Sequence, residues 1–453
     1  MTDTDVAPAV PAGPPMAPSR TRGRAWIVTA LLVVFMMINF ADKSVLGLAA
    51  EEIRQDLGLS ASAFGLASSA FFLLFSLSGA AVGLLADRVR PKWLLLIMAV
   101  LWSVSQAPLA VGGGLAVLIA SRVLLGAAEG PAYPVAQQTT LSWFPNHRRN
   151  LPGALIVLGI TLGVLVAAPV LTWLINHHGW RSAVAAVALA GAVWTLLWIP
   201  FGGEGPYATM SDNDSPAGAV SDDGPRTGKE TGTGTGTAGE AQPKMPYRRI
   251  LATRTWIGVT IGYFSTYWVI AFALVWLPSY LRDGLGYSSA VSTQLLMLFW
   301  GLSGILVLAQ AGLTGWMLRR GITSRRARGW VGGALLLTSG VSCLALSVAP
   351  AGAVTVVLLI GAFGLAGAMG SIAATTIMEL APANRRGGAL GLMNAVVTTA
   401  GLVAPTLIGS LVDTHGAGGY QYAVLITGAL LLAGGTAAVT LINPDRDARL
   451  LSV

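Results

Sequence analysis

Residues 145–149 read PNHRR, and residues 382–386 read PANRR. The offset is 237, and it also carries His178-Gly179 onto His415-Gly416. Gly153-Ala154-Leu155 recurs as Gly388-Ala389-Leu390, two residues out of step, and Gly83 before one basic loop pairs with Gly315 before another. A chain that repeats its punctuation at this distance is built from two copies of one unit. The content of the unit is read from the runs between the punctuation marks.

Those runs are apolar. Charged residues are 11% of the 453, against roughly a quarter in soluble domains. Hydrophobic residues are 54%, more than a water-soluble fold of this length has interior to hide. A spanning helix needs about 20 apolar residues. Twelve such runs lie near 24–49, 62–86, 93–111, 115–138, 150–175, 181–201, 255–281, 289–318, 329–349, 351–379, 387–412 and 418–443. The first exceeds a signal-peptide core of roughly 7–15 residues and no small-residue cleavage site follows it, so it is expected to stay as the first membrane helix.

The pattern predicts an all-α membrane protein of twelve transmembrane helices in two pseudo-symmetric six-helix bundles. The first bundle is 24–201 and the second 254–443. Residues 1–23, Pro/Ala-rich, are expected to form a disordered cytoplasmic tail, and 444–453 a cytoplasmic C-terminal tail. Residues 202–253 contain SDNDSPAGAVSDDGPRTGKETGTGTGTAGE, a tract with too little to bury to repay its ordering, and are read as a flexible cytoplasmic linker. Two parallel six-helix repeats are an architecture of secondary transporters, with the site near mid-membrane between the halves.

Charge fixes the expected orientation. Of the 28 Lys and Arg residues, only Lys43, Arg54, Arg122, Arg181 and Arg282 fall outside the tails and the even-to-odd connections. That bias is the positive-inside rule, with both termini in the cytoplasm and the plasma membrane as the location. A basic face for anionic lipid explains the net charge of +8 without nucleic acid. One cysteine, Cys343, allows no internal disulfide. The four histidines sit at loop edges without metal spacing, and neither a nucleophile constellation nor a nucleotide-binding motif stands out. The chain reads as no enzyme, with no metal and no cofactor, driven by an ion gradient.

A few ionisable groups interrupt the runs. Asn39, Asp42 and Lys43 share a face of the first helix, because residues three and four apart are neighbours. Arg122 and Glu129 are seven apart in the fourth, two turns along one face. Their counterparts in the second half are Leu274, Val275, Leu359 and Ala366. The repeat keeps the scaffold and drops the charges, and intramembrane charge is expensive. These residues read as working parts. The competing reading of Asp42 and Lys43 is that the first helix ends before them and they are wet. Two acids and two bases in one cavity couple proton entry to anion entry: protonated acids release the cations, and a guanidinium fits a carboxylate fork.

The loop Gly83-Leu84-Leu85-Ala86-Asp87-Arg88-Val89-Arg90-Pro91-Lys92 resembles the loop between helices two and three of the major facilitator superfamily. The likeness covers nearly the whole chain outside the tail and linker. It implies that Gly83, Asp87, Arg88, Arg90 and Lys92 serve gating, with Arg148, Arg149, Arg385 and Arg386 in the repeated basic loops. Arg319 stands four residues after Gly315, where Asp87 follows Gly83, so the latch is expected on one side only.

The local motifs are similar to those of the anion:cation symporters, which include hexuronate, galactonate and phthalate transporters and the vesicular glutamate/sialin group. Their Asn-x-x-Asp-Arg appears as Asn39-Phe40-Ala41-Asp42-Lys43. Their Arg-x-x-x-Gly followed by Glu-x-Pro appears as Arg122, Gly126, Glu129 and Pro131, and their Trp-Leu-Pro-x-Tyr-Leu as Trp276–Leu281. The resemblance implies that Asp42 and Glu129 carry protons, with Arg122 near substrate. Lys43, Asn39, Tyr267, Trp268 and Asn394 complete the expected substrate contacts. Lys43 replaces the family's arginine, Phe75 and Gly79 stand where tyrosine and glutamine are expected, and helix seven offers Tyr263, Tyr267 and Trp268. Few hydroxyl partners fit a weakly hydroxylated or aromatic carboxylate better than a sugar acid. The expected function is proton-coupled symport of a small organic anion by a monomer in the lipid bilayer. The alternative is a proton-antiport efflux pump for a metabolite or drug, in which Arg122 and Lys43 are dispensable.

Overall fold

In a computed structural model, residues 19–85, 89–145, 150–207, 245–349, 352–382 and 385–451 are described. Among them twelve helices are long and apolar enough to cross a bilayer, and no strand occurs. We label them α1 (Gly23–Leu48), α2 (Ala61–Gly79), α3 (Pro91–Val111), α4 (Leu115–Leu141), α5 (Leu151–His178), α6 (Trp180–Phe201), α7 (Arg254–Val275), α8 (Ser289–Arg319), α9 (Arg325–Leu346), α10 (Ala353–Leu380), α11 (Arg386–His415) and α12 (Gly418–Leu441). Lipid offers no partner for backbone N–H and C=O, so an apolar run must bond internally, and a helix does that.

Within the first bundle α1 packs on α5, α2 on α4, and α3 on α6; in the second, α7 packs on α11 and α12, and α9 on α12. The bundles join along α2 with α11, α5 with α8 and α1 with α7. Small residues make these joins close. A Cβ on Gly47 would stand 1.9 Å from the Leu274 carbonyl oxygen, and one on Gly65 2.3 Å from that of Pro405. Both Asp413 carboxylate oxygens accept from the first turn of α2, at 2.7 Å from Ala61 N and 2.8 Å from Ser62 N. Arg282 meets Glu52 at 3.1 Å, and Thr293 donates to Thr172 at 3.3 Å. All of these lie on the face remote from the arginine-rich loops, where the bundles are shut together.

Several stretches differ from the sequence expectation. Helix α1 continues through Asp42 and Lys43 to Leu48, so the reading that it ends before the pair fails. The seventh run is not one helix. It bends at Trp276 (φ −115°) before the short turn Leu277–Ser279, where Pro278 has no N–H for the ladder. The ends of the expected linker are packed: Gly205 N donates to Ser142 Oγ at 2.9 Å, and Tyr247–Leu251 is a short helix. Residues 208–244 and 1–18 lie outside the described residues. The expected C-terminal tail holds a helix, Pro444–Leu451, whose Asp447 accepts from Thr255 N at 2.8 Å and so caps α7.

Helices α4 and α10 are both interrupted and resume at matching points of the repeat, Ala132 and Met369. Regular α-helix in α4 stops at Glu129 and resumes at Ala132, with Pro131 between. In α10 it stops at Leu359, passes through a wide turn at Ile360–Gly364 and a tight one at Ala366–Ala368, and resumes at Met369.

Candidate functional site

The four intramembrane charges converge. Lys43 Nζ donates to Asn39 Oδ1 one turn back at 2.5 Å and lies 2.6 Å from Glu129 Oε2. Gln106 of α3 joins the other two: its Nε2 donates to Asp42 Oδ1, and its Oε1 accepts from Arg122 Nη2 at 2.8 Å. Asn39, Asp42 and Glu129 are 1% exposed, Arg122 2% and Gln106 0%. Burial this deep is tolerable only because the charges balance and are bonded to one another.

Backbone packing builds the rest of the chamber. Gly126 and Gly130 let α4 approach α2 so closely that a Cβ would stand 1.9 Å from the Phe71 carbonyl oxygen and 2.1 Å from that of Phe75. Those two rings are thereby set 5.7 and 5.5 Å from Lys43 Nζ, with Phe40 at 4.6 Å. Three ring faces attract an ammonium group while excluding water from it. Within this cluster the donors Arg122 Nε and Asn39 Nδ2 lack any partner among the described residues. Buried donors are rarely left so, and both suit an anionic ligand.

The second bundle faces this chamber with aromatic groups. Tyr267 meets Phe72 edge to face at 6.0 Å and Tyr263 at 6.2 Å. Tyr133, a turn beyond Glu129 toward the arginine-rich face, is 42% exposed. Asn394 on α11 is half-buried, and its side chain is not engaged by the hydrogen bonds of its neighbours. Trp268 is placed differently from its expected role. It is buried within the second bundle and donates to Thr427 of α12 at 3.1 Å, so it packs two helices together and does not line the gap.

The sequence profile of the Major Facilitator Superfamily matches residues 32–405. The chain belongs to that superfamily. Among similar proteins of this superfamily, the "Hexuronate transporter" of Bacillus subtilis (strain 168) is 28% identical over 416 residues, 90% of this chain and 91% of that one. The "Probable sulfoacetate transporter SauU" of Cupriavidus necator is 28% identical over 428 residues, 92% and 94% of the two chains. Among solved structures, a D-xylose-proton symporter superposes with a TM-score of 0.71 at 16% identity, covering 93% of this chain and 99% of that one. A bacterial homolog of the human lysosomal transporter Spinster, inward-facing and unoccupied, gives 0.72 at 16% identity, covering 94% and 98%. The superfamily fold, twelve helices and a transporter rather than an enzyme, agrees with the sequence reading.

The superfamily's loop residues are placed as follows. Asp87, Arg88, Arg148 and Arg149 lie outside the described residues. Gly83 falls in the last turns of the helix Ala61–Leu85, and Arg90 is exposed just before α3. Lys92 Nζ donates to Ile199 O at 3.1 Å, while Trp198 returns a bond to Lys92 O at 3.0 Å. Arg385 lies 4.5 Å over the Tyr247 ring, and Arg386 Nε donates to Ala381 O at 3.1 Å. These contacts stay within one bundle each, because the bundles meet at the opposite face in this state.

Reading the sequence missed Gln106, which sits in an otherwise apolar run, WLLLIMAVLWSVSQAPLAV. Its signal was a lone amide in a membrane helix, a group that must find a partner there.

Proposed function

We propose that the chain is a monomeric symporter that carries a small organic anion and protons into the cell through the plasma membrane, both termini being cytoplasmic. The observation that carries this reading is the buried, balanced cluster of Asp42, Lys43, Arg122 and Glu129 with two orphan donors beside it. The named relatives, transporters of a sugar acid and a sulfonated acid, support an organic anion as the substrate class.

In the proposed cycle Asp42 and Glu129 hold protons, and the proton gradient supplies the energy. Protonation of Glu129 removes the counter-ion of Lys43. Protonation of Asp42 acts through Gln106. A carboxylate accepts from the amide N–H, but a carboxylic acid facing it donates. When the proton sits on the Asp42 oxygen that faces the amide, the amide turns its oxygen to Asp42 and its NH₂ to Arg122, where donor meets donor. Arg122 is released to take the anion, with Asn39, Tyr267 and Asn394 as further contacts. The aromatic walls favour a weakly hydroxylated or aromatic carboxylate. With the remote face shut, the cycle stands at the stage open toward the arginine-rich loops, which the gating residues would close in the opposite stage.

The test is internal pH of proteoliposomes while organic anions are added outside, comparing wild type with Asp42→Asn and Glu129→Gln. Acidification by one anion, lost in both variants, is the expected result. If no anion acidifies the lumen while an external cation makes it alkaline, the uptake reading fails and the chain is an exporter.

A further inference from the structure

A second site lies at the arginine-rich face, outside the transport chamber. Where α9 begins, Arg325 and Arg326 stand across a cavity of about 770 Å³ from Arg446 and Arg449 of the helix Pro444–Leu451. Asp445 is the acidic residue in this lining. Arg446 is held at Nε by Asp447 at 2.7 Å, while its buried Nη2 has no partner among the described residues. Arg325 and Arg326, with the unpartnered edge of Arg446, repel one another, and an anion among them relieves that repulsion. Planar forks suit the oxygens of a phosphate, pairing two donors to two acceptors.

The surroundings place this cavity at headgroup depth. It opens at the first turn of a membrane helix, beside Trp330, which is 47% exposed with Arg326 over its ring at 5.6 Å. Leu450 on the rim is 66% exposed. An exposed Trp with arginines is the composition found at the membrane–water boundary, and basic pockets between helices there take phospholipid headgroups.

We infer that this pocket binds a phosphate group, supplied by the headgroup of an anionic phospholipid. Inorganic phosphate carries the same chemistry, so the experiment separates the two. The full-length protein is purified in detergent, and bound dioleoyl phosphatidylglycerol and phosphatidylcholine are measured by native mass spectrometry. The measurement is repeated with inorganic phosphate alone. Wild type is expected to retain phosphatidylglycerol in preference. That preference should fall about tenfold in Arg325→Gln/Arg326→Gln, two exposed positions each contributing electrostatic attraction. Thr323→Glu, which places a negative charge at the mouth, should lose it as well, and it serves if the double variant does not fold. Retention of inorganic phosphate without lipid preference, lost in the same variants, keeps the site and assigns it a soluble anion. Equal retention of both lipids with no phosphate bound overturns the inference, as does a lipid preference that the substitutions leave unchanged.

Discussion

Helices α4 and α10 occupy the same place in the two repeats and resume regular helix at the same register, Ala132 and Met369, yet one carries charge along its middle and the other carries only Glu379, near its end. At the offset of 237, Arg122 answers to Leu359, Gly126 to Phe363, Glu129 to Ala366 and Gly130 to Gly367. In α4 the glycines bring a neighbouring backbone into contact, and the interruption presents Glu129 to Lys43. In α10 a buried Phe363 fills the corresponding space, tilted against Phe272 at 5.1 Å and edge to face with Phe299 at 6.3 Å. The nearest polar chain there is neutral: Ser371 donates to Gln310 at 2.8 Å, and Gln310 to Thr314 at 2.7 Å. The difference teaches that the interruption belongs to the scaffold, since both copies have it. The charges belong to the task, since one copy suffices.

The substitution that presses hardest on this contrast makes α4 like α10. Arg122→Leu should raise KM for the transported anion by about a hundredfold or more, because it removes a buried charge-pair partner. It also leaves the two acids with Lys43 alone, so the melting temperature should fall. Undiminished uptake would mean that Arg122 only welds helices together. Next in size is Gln106→Met, which keeps bulk but has no amide. Wild-type KM should fall as external pH falls, whereas the variant should show a KM about tenfold higher and a shallower fall with pH, since the Glu129–Lys43 step remains, with anion exchange retained. A wild type without pH dependence would count against proton coupling itself; a variant with wild-type pH dependence would count against the amide alone.

A matched pair of glycine substitutions tests the scaffold half of the contrast. A Cβ on Gly130 would lie 2.1 Å from the backbone oxygen of Phe75, which has nowhere to go. On Gly367 it would lie 3.2 Å from Ser303 Oγ, which can rotate away. Gly130→Ala should therefore destabilise by about 1–3 kcal/mol through overpacking, while Gly367→Ala leaves the thermal midpoint nearly unchanged. Equal midpoints for the two variants would show that α4 and α10 are not packed as differently as their charges imply.

Much of this was legible in the sequence, and the reason is the bilayer. Lipid permits so few backbone arrangements that apolar runs and repeated PNHRR-type loops prescribe twelve helices in two sets. The four charges were legible too, because a charge in such a run is conspicuous by its expense. What escaped was set by neighbours. Gln106 matters because α3 stands beside both α1 and α4, a fact of packing that no local pattern encodes. Tyr267 and Trp268 are consecutive, and only the presence of Thr427 on α12 decides that the second turns inward to its own bundle. The bend at Trp276 could be suspected from Pro278, yet its place depends on the bond from Trp276 Nε1 to Pro405 O at 3.0 Å.

The smallest effect concerns a helical support at the end of α10, whereas α4 is braced by the extended segment at Gly205 instead. The helix Pro444–Leu451 packs under the lower part of α10, Met369–Leu380, and holds the start of α7 through Asp447. Burial alone would push the Asp447 carboxyl up, but hydrogen bonds from Arg446 and Thr255, with the Arg446 charge, outweigh it and hold the group below the usual carboxylate range. A carboxyl depressed in the fold contributes stability that is complete above its unfolded value near pH 4 and is lost as pH falls through the folded one. Asp447→Asn keeps an oxygen for Thr255 N–H but loses the charge that favours a helix N-terminus. At neutral pH the variant should be less stable by about 1 kcal/mol, the size of a cap, read as a lower thermal midpoint. Acidification from pH 5 toward pH 3 should close that gap, since the wild type then loses the same charge. A gap that stays constant with pH would show that Asp447 acts only as an acceptor, and the support of the second bundle would then be as neutral as the polar chain above it.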